Sequence, residues 1–233
     1  MYSKESIKKV VKLMDEKIAF YRGIKNPDEI KICISKGNRK IGKVLNVSLP
    51  PMITCANCSG CMWFCYDVKA CLQYPNTVID ARVRNYILMK EYRDEYFNRI
   101  RMTISRRKKN KFFRWHVSGD IPDENYLENM VEIAKDFPEF KFWTYTKNYN
   151  LVNEYVKNHG NDRKIAIPEN LVIMYSEWKG MKMINPFGFP EFRCLFPNEK
   201  PEEGFTACPG NCDICISTKG GCPYGKNKYV DLH

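Results

Sequence analysis

The stretch KFFRWHVSGDIPDENYLENMVEIAKDFPEFKFWTYTKN, residues 111–148, carries the pattern that decides the fold. Its first ten residues predict a β-strand that closes at Gly119, and residues 140–148 predict a second strand. Between them, residues 123–136 place apolar side chains at helical spacing. A helix of this length between two strands implies a right-handed crossover, so the two strands are predicted to be parallel neighbours.

The same alternation extends in both directions along the chain. The other predicted elements are a helix over 7–21, strands over 29–35 and 44–49, a helical stretch from Asn76 to about 106 that breaks near Asp94, a helix over 151–160 and a strand over 170–176. This order predicts an α/β fold, either a partial (β/α) barrel or an open parallel sheet.

Three parts of the chain are expected. Residues 1–36 form an N-terminal helix and strand, and residues 37–178 form the α/β core, including a cysteine-rich loop at 55–71. Periodicity lapses beyond the core, so residues 179–233 are expected to be an irregular, cysteine-rich extension. Such a segment buries too little apolar surface to offset its conformational entropy, and a bound metal would have to order it.

Composition indicates where the protein works and what it contacts. No apolar run approaches the ~20 residues that span a bilayer, and the first twenty residues lack the pattern of a secretory signal. We therefore expect a cytoplasmic protein with no membrane partner. The formal net charge of +11 favours an anionic substrate or nucleic acid as partner. The densest basic run is RIRMTISRRKKNK, residues 99–111, which could equally be a solvated helix end.

Eleven cysteines, most of them in two groups, point to metal binding, because thiols in a reducing cytoplasm seldom form disulfides and an odd number cannot pair completely. The first group lies in TCANCSGCMWFCYD, residues 54–67, and comprises Cys55, Cys58, Cys61 and Cys65, with Cys71 soon after. Several thiolates in one continuous loop can surround a [4Fe–4S] cluster, and zinc is the alternative. Whether Cys58 or Cys71 completes the site is left open.

This loop directly follows the strand over 44–49. Loops at the carboxyl ends of parallel strands form the functional face of such folds, so the first group is expected to lie over the open end of the sheet. Ser118, Gly119 and Asp120 follow another strand and are expected at the same edge. His116 is expected to share a face with Arg114 and to make a structural hydrogen bond.

The second group comprises Cys208, Cys212, Cys215 and Cys222, with Cys194 further upstream. Four or five thiolates can enclose a cluster or a zinc ion completely, which suits stabilisation or electron relay. The spacing of Cys208, Cys212 and Cys215 is also that of a radical S-adenosylmethionine cluster. Because no strand is predicted before them, the group is interpreted as an auxiliary cluster.

The ordered blocks GKVLNVSLP, CSGCMWFCYD, RVRNYIL, FRWHVSGDIPDENYLENM, FKFWTYTKN and CPGNCDICI resemble the gene product 88 family of phages and mobile elements, from about residue 37 to the C-terminus. The biochemical role of that family is unsettled, so the resemblance implies no activity. The layout is more remotely similar to radical S-adenosylmethionine enzymes. These place three cysteines after the first barrel strand, with an aromatic residue before the third, and a glycine-rich acidic motif after the second strand.

The remoter similarity implies particular roles. Cys55, Cys61 and Cys65 would hold the cluster, although their spacing is wider than usual in those enzymes, and Phe64 would flank the adenine. The motif at 118–120 would meet the methionine moiety of S-adenosylmethionine, with Asp120 accepting hydrogen bonds from its ammonium group. A reduced cluster, supplied by an electron donor, would cleave S-adenosylmethionine to a radical that abstracts hydrogen from an unknown substrate.

Two other classes of function remain open. A protein whose sites are fully coordinated by iron–sulfur clusters or zinc could bind nucleic acid through its basic surface. Such a protein could instead transfer electrons between two closed clusters. The sequence identifies no catalytic side chain.

Overall fold

A computed structural model describes residues 1–55, 57–58 and 60–232. The helices are α1 (Lys4–Arg22), α2 (Tyr66–Gln73), α3 (Asp80–Glu91), α4 (Arg93–Ser105), α5 (Glu124–Asp136), α6 (Tyr149–Asn158), α7 (Arg163–Ala166) and α8 (Cys212–Ser217). The strands are β1 (Ile34–Ser35), β2 (Leu45–Val47), β3 (Phe112–Trp115), β4 (Lys141–Thr146), β5 (Leu171–Glu177), β6 (Glu191–Leu195), β7 (Thr206–Ala207) and β8 (Lys228–Asp231).

The strands form one eight-stranded sheet in the order β1-β2-β3-β4-β5-β6-β8-β7. Strands β2 to β6 are parallel neighbours in chain order, β8 pairs parallel with β6 and β7, and β1 pairs antiparallel with β2. The α/β class and a mostly parallel sheet are therefore confirmed. The structure does not confirm a barrel, because β1 and β7 form two separate edges of the sheet.

Parallel strands bring their loops to two opposite edges of the sheet. We call the end where β2 to β6 finish the carboxyl edge, and the end where they begin the amino edge. The crossover helix α5 starts at Asp123, whose side chain accepts a hydrogen bond from the backbone N–H of Tyr126. This cap satisfies one of the free amides at the start of the helix.

The region 179–233 is more regular than expected. It supplies three strands of the sheet, β6, β7 and β8, and the helix α8. These strands are two to five residues long and lie toward one end of the sheet, so they bury too few alternating side chains to show a period in the sequence. The helical stretch after Asn76 also differs, since a π-helical turn over Pro75–Ile79 precedes α3 and the break falls at Tyr92.

The two faces of the sheet are covered differently. Phe113, Trp115 and Phe142 belong to the main hydrophobic core, which the helices also form. On the other side, which we call the inner face, Trp143 and Met174 pack with Cys222. The inner face is thus covered by the segment that carries the second cysteine group. Among the residues that the structure describes, no helix is long and apolar enough to cross a membrane.

Candidate functional site

The loop between β2 and α2 lies across the carboxyl edge. Leu49, the second residue after β2, donates a backbone hydrogen bond to the carbonyl of Ser118 (3.0 Å), just beyond β3. Further along, the side-chain amide of Asn57 donates to the carbonyl of Lys147 (2.6 Å), just beyond β4. The structure therefore places the first cysteine group over the ends of neighbouring strands.

Three thiols of this loop, Cys55, Cys58 and Cys61, lie close together. Hydrogen bonding to Cys55 and Cys61 raises the pKa of the central Cys58 thiol. The pKa of Cys61 is lowered to about 6, chiefly by hydrogen bonding with Cys58 and also by the ammonium of Lys147, while burial opposes the shift. A lowered pKa favours the thiolate of Cys61, which is the form that nucleophiles and metal ligands require.

Cys65 and Cys71 have different surroundings. Burial raises the pKa of Cys65 to about 11, and the nearby Cys55 raises it as well. Burial likewise raises the pKa of Cys71 to about 12, and its thiol lies 3.8 Å from a carboxylate oxygen of Asp67. Cys65 thus lies within electrostatic reach of Cys55. Cys71 instead belongs to the contacts that hold α2 in place.

Asp67 organises this part of the loop, a role that the sequence did not reveal. Its fully buried carboxylate forms an ion pair with Arg82 of α3 and accepts a hydrogen bond from the hydroxyl of Ser118 (2.7 Å). The carboxylate therefore connects α2, α3 and the end of β3. Ser118, predicted to bind a cofactor, donates its hydroxyl hydrogen bond to Asp67.

Gly119 and Asp120 also lie at the carboxyl edge beside the cysteine loop. Gly119 has a positive φ of 85°, and a Cβ atom there would come within 2.7 Å of Leu49 and Thr54. The buried carboxylate of Asp120 accepts hydrogen bonds from the backbone amides of Ile121 (2.7 Å) and Lys147 (2.9 Å). Burial raises the pKa of Asp120, and these hydrogen bonds oppose the shift. The motif lies where the similarity predicted, but its side chains are engaged within the protein.

Phe64 belongs to an aromatic trio that spans the carboxyl edge. Its ring lies 5.7 Å from that of Trp178, beyond β5, and 6.4 Å from that of Phe196, beyond β6, while those two rings are 5.2 Å apart. Contacts of this kind stabilise by about 0.5–1.5 kcal/mol beyond their buried area. The trio fastens the cysteine loop to the far strands. No sequence pattern indicated this trio, because its members are far apart in the chain.

Lys147 lies at the centre of this edge. Its ammonium donates a hydrogen bond to the hydroxyl of Ser176 (3.1 Å) and interacts electrostatically with both Cys61 and Cys194. A cavity of about 400 Å³ opens nearby, with Cys194 and Arg193 among its lining residues. Cys194 has Lys147, Glu199 and Asp231 as its charged neighbours. The structure therefore does not bring Cys194 together with the second cysteine group.

The other members of the second group do come together. Cys208, Cys212, Cys215 and Cys222 interact electrostatically with one another beside the inner face. Burial raises the pKa of Cys212 and Cys215, and it raises that of Cys222 to about 12. The expectation that no strand precedes this group is wrong, because β7 ends immediately before Cys208. The edge strand has only two residues, too few for a recognisable pattern.

Cations and hydrogen-bond donors surround these four thiols. Arg114 of β3 interacts with Cys212 and Cys222, and the buried Lys228 interacts with Cys215. Arg114 also lies over the ring of Tyr145, 4.7 Å from its centroid. Within the described part of the chain, the buried Nε of Arg114 and Nε1 of Trp143 have no hydrogen-bond partner. Unpaired donors beside four sulfurs fit an anionic, sulfur-rich group, because cluster sulfurs accept hydrogen bonds.

No set of three or more Cys, His, Asp or Glu side chains in the described ranges has the geometry to hold a single metal ion. All eleven cysteines, which all lie in those ranges, are free of disulfide bonds. The spacing within the first group, C-x2-C-x2-C-x3-C, is one that bacterial ferredoxins use, with the fourth cysteine serving the other cluster in two-cluster members. The grouping of Cys55, Cys58 and Cys61 could have been predicted from this spacing.

Comparison with known proteins gives one family match. A search of curated proteins finds no match, and a search of solved structures finds none either. Neither search supports the similarity to radical S-adenosylmethionine enzymes. The family model for gene product 88 matches residues 25–214, which include the first cysteine group, the motif at 118–120, Cys194 and two cysteines of the second group, Cys208 and Cys212. The chain therefore belongs to the gene product 88 family.

Proposed function

We propose that this protein is an iron–sulfur enzyme of the radical S-adenosylmethionine type, with a [4Fe–4S] cluster at the carboxyl edge and an auxiliary cluster beside the inner face. The observation that carries the proposal is the trio of Cys55, Cys58 and Cys61 at the ends of the parallel strands. Three cysteine ligands leave the fourth iron of a cube without a protein ligand, free to bind a small molecule. The free thiols fit a reducing cytoplasm.

The two groups suit clusters better than single ions. A cube distributes its ligands around four separate irons, so its thiolates need not converge on one point as they do around zinc. The four thiols of the second group would coordinate an auxiliary cluster completely. Arg114 and Lys228 would offset its negative charge.

The protein's own residues would bind and orient the reactants. When bound, the cluster supplies the electron that cleaves S-adenosylmethionine reductively, and an external donor replaces that electron. Lys147 provides a cation beside Cys61 that can bind an anionic group of a reactant. The aromatic trio of Phe64, Trp178 and Phe196 offers apolar surface close to the loop, which suits an adenine ring. Asp120 fixes the backbone amide of Lys147 and so positions that residue.

A closed electron-transfer cluster is the second candidate. The observation that favours it is Cys65, which lies close enough to Cys55 to interact electrostatically and occupies the fourth position of the ferredoxin-like spacing. With Cys65 as fourth ligand, no iron would remain open to S-adenosylmethionine. The role of Cys65 therefore separates the two candidates.

The test is anaerobic reconstitution followed by iron and sulfide analysis, with electron paramagnetic resonance of the reduced protein with and without S-adenosylmethionine. The proposal expects two clusters and a spectrum that S-adenosylmethionine changes. Cys58→Ala should remove about one cluster, whereas Cys65→Ala should leave the metal content and the spectral change intact. Zinc without iron in reconstituted protein would overturn the proposal.

Cys33→Ala is the matched control, because Cys33 contacts Asn85 through its backbone rather than its thiol. Its metal content should equal that of the wild type. Loss of a cluster in Cys65→Ala, together with a wild-type spectrum that S-adenosylmethionine leaves unchanged, would instead establish the closed electron carrier.

A further inference from the structure

A cluster of exposed cations lies at the amino edge, opposite the first cysteine group. Two loops form it, residues 36–43 directly before β2 and residues 106–111 directly before β3. Because β2 and β3 are parallel neighbours, the two loops lie side by side. The guanidinium of Arg107 joins them by donating a hydrogen bond to the carbonyl of Lys43 (3.3 Å).

The cations of these loops are largely without acidic partners. Seven of them are exposed and form no ion pair with another described residue: Lys36, Arg39, Lys40, Lys43, Arg106, Lys108 and Lys109. The acidic side chains nearby are Glu139, which pairs with Lys111, and Asp213, which lies against Gly42. The fold thus collects positive charge at this edge that nothing in the described chain neutralises. Such a surface attracts a polyanion.

The loop 36–43 is also held in place from the second cysteine group. The backbone amide of Cys212 donates a hydrogen bond to the carbonyl of Lys40 (3.1 Å), at the start of α8. Asn38 closes the loop by accepting hydrogen bonds from the amides of Lys40 (2.8 Å) and Ile41 (3.1 Å). A fixed backbone presents its lysines with less loss of entropy on binding than a mobile tail would.

We infer that the amino edge binds double-stranded nucleic acid through its phosphate backbone, without reading sequence. Neither loop contains an aromatic residue, whereas proteins that bind single strands stack bases on aromatic rings. Phosphate contacts from lysine and arginine give affinity that does not depend on base sequence. This inference does not depend on the metal at either cysteine group.

The test is fluorescence anisotropy of a labelled DNA duplex, titrated with the full-length protein at several salt concentrations. The variant Lys108→Ala/Lys109→Ala should bind more weakly, and its slope of log affinity against log salt should be shallower by about 1.8, since each lost phosphate contact removes about 0.9. Both side chains are exposed, so circular dichroism should show an unchanged fold.

The matched control is Lys8→Ala/Lys9→Ala, which removes the same charge from exposed positions on α1. Its affinity and salt slope should stay close to those of the wild type. Equal losses in the two variants would show a general charge effect and overturn the inference. Tighter binding to single strands than to the duplex, or binding to anionic lipid vesicles without binding to the duplex, would overturn it as well.

Discussion

The side chain of His116 lies on a different face of the sheet from the one that strand alternation predicts. Its backbone has a positive φ of 52°, so the chain turns directly after β3. The side chain consequently does not share a face with Arg114, as strand alternation predicted, but lies in the core. Its ring nitrogens lie 3.3 Å from the hydroxyl of Thr144 and 3.0 Å from that of Tyr126. The histidine therefore makes the structural hydrogen bonds that were expected, but its partners lie in the main core rather than on the inner face.

This burial makes stability depend on pH. Desolvation, and to a lesser extent the charge of Arg114, lowers the pKa of His116 to about 3. In the unfolded chain its pKa is about 6.5, so between these values only the unfolded chain takes up the proton. The free energy of unfolding should therefore fall as pH decreases from 6.5 toward 3, by up to about 1.4 kcal/mol per pH unit from this residue.

Urea denaturation between pH 7 and about 5, where most carboxylates stay charged in both states, should isolate the effect. His116→Gln should be less stable at neutral pH but should lose less stability on acidification than the wild type. Parallel profiles for His116→Gln and the wild type would contradict the assignment.

Gly119 tests how closely the cysteine loop approaches β3. Gly119→Ala should lower the free energy of unfolding, because the residue has positive φ and the new Cβ would meet Leu49 and Thr54. Gly204→Ala is matched to it, since Gly204 has the same φ of 85° but no atom near the added Cβ. The positive φ should lower the free energy of unfolding of both variants by about 1–2 kcal/mol. Crowding of the new Cβ should lower that of Gly119→Ala by about a further 1–3 kcal/mol. If urea denaturation gave equal losses of stability for the two variants, the cysteine loop would be able to move away from the added Cβ without cost.

At the scale of elements, the ion pair between Asp67 and Arg82 joins α2 to α3. Asp67→Asn leaves Arg82, whose side chain is only 13% exposed, without its counter-charge. Removing one partner of a buried pair costs about 3–5 kcal/mol, so we expect a loss of that order by chemical denaturation. The double variant Asp67→Leu/Arg82→Met, which leaves no unpaired charge, should recover much of it.

An exposed pair provides the comparison for this prediction. Lys12 and Glu16 on α1 are mostly exposed, so Glu16→Ala should cost less than about 1 kcal/mol. If Asp67→Asn were no more costly than Glu16→Ala, the ion pair would not be what anchors α2. The same would follow if the double variant were less stable than Asp67→Asn.

Some elements of the fold could be predicted from the sequence, and some contacts between them could not. We could predict β3, α5, β4, α6 and β5, because each one buries enough regularly spaced apolar residues to display its period. The four-residue helix α7 is too short to display one. The position of the cysteine loop followed from the strand before it. The trio of Phe64, Trp178 and Phe196 could not be predicted, because its members are far apart in the chain. The fold of the sheet brings them into contact. For the same reason, the sequence could not separate Cys194 from the cysteines near it in the chain.

At the scale of the whole molecule, the second cysteine group joins the end of the chain to the sheet. Cys212 and Cys222 pack against the cluster formed by Trp143 and Met174, whereas Cys208 directly follows the edge strand β7. A group bound by these thiols would connect α8, the edge strand and the inner face at one point. Ligands that bind only the folded state stabilise it, by about 2.7 kcal/mol at about 100 times their Kd.

Metal removal should therefore loosen one part of the molecule before the rest. In hydrogen–deuterium exchange, chelator-treated protein should exchange faster than loaded protein over residues 206–231, while α5 and α6, which pack in the main core, should keep their protection. Cys215→Ser should reproduce this change without affecting the cluster that we propose for the carboxyl edge. Because Cys215 is buried beside Lys228, the substitution should speed exchange in β8. It should also speed exchange in β7, since Lys228 donates a hydrogen bond to Thr206 (2.7 Å). Faster exchange spread evenly over all helices would mean that the second group supports the whole fold rather than its C-terminal strands.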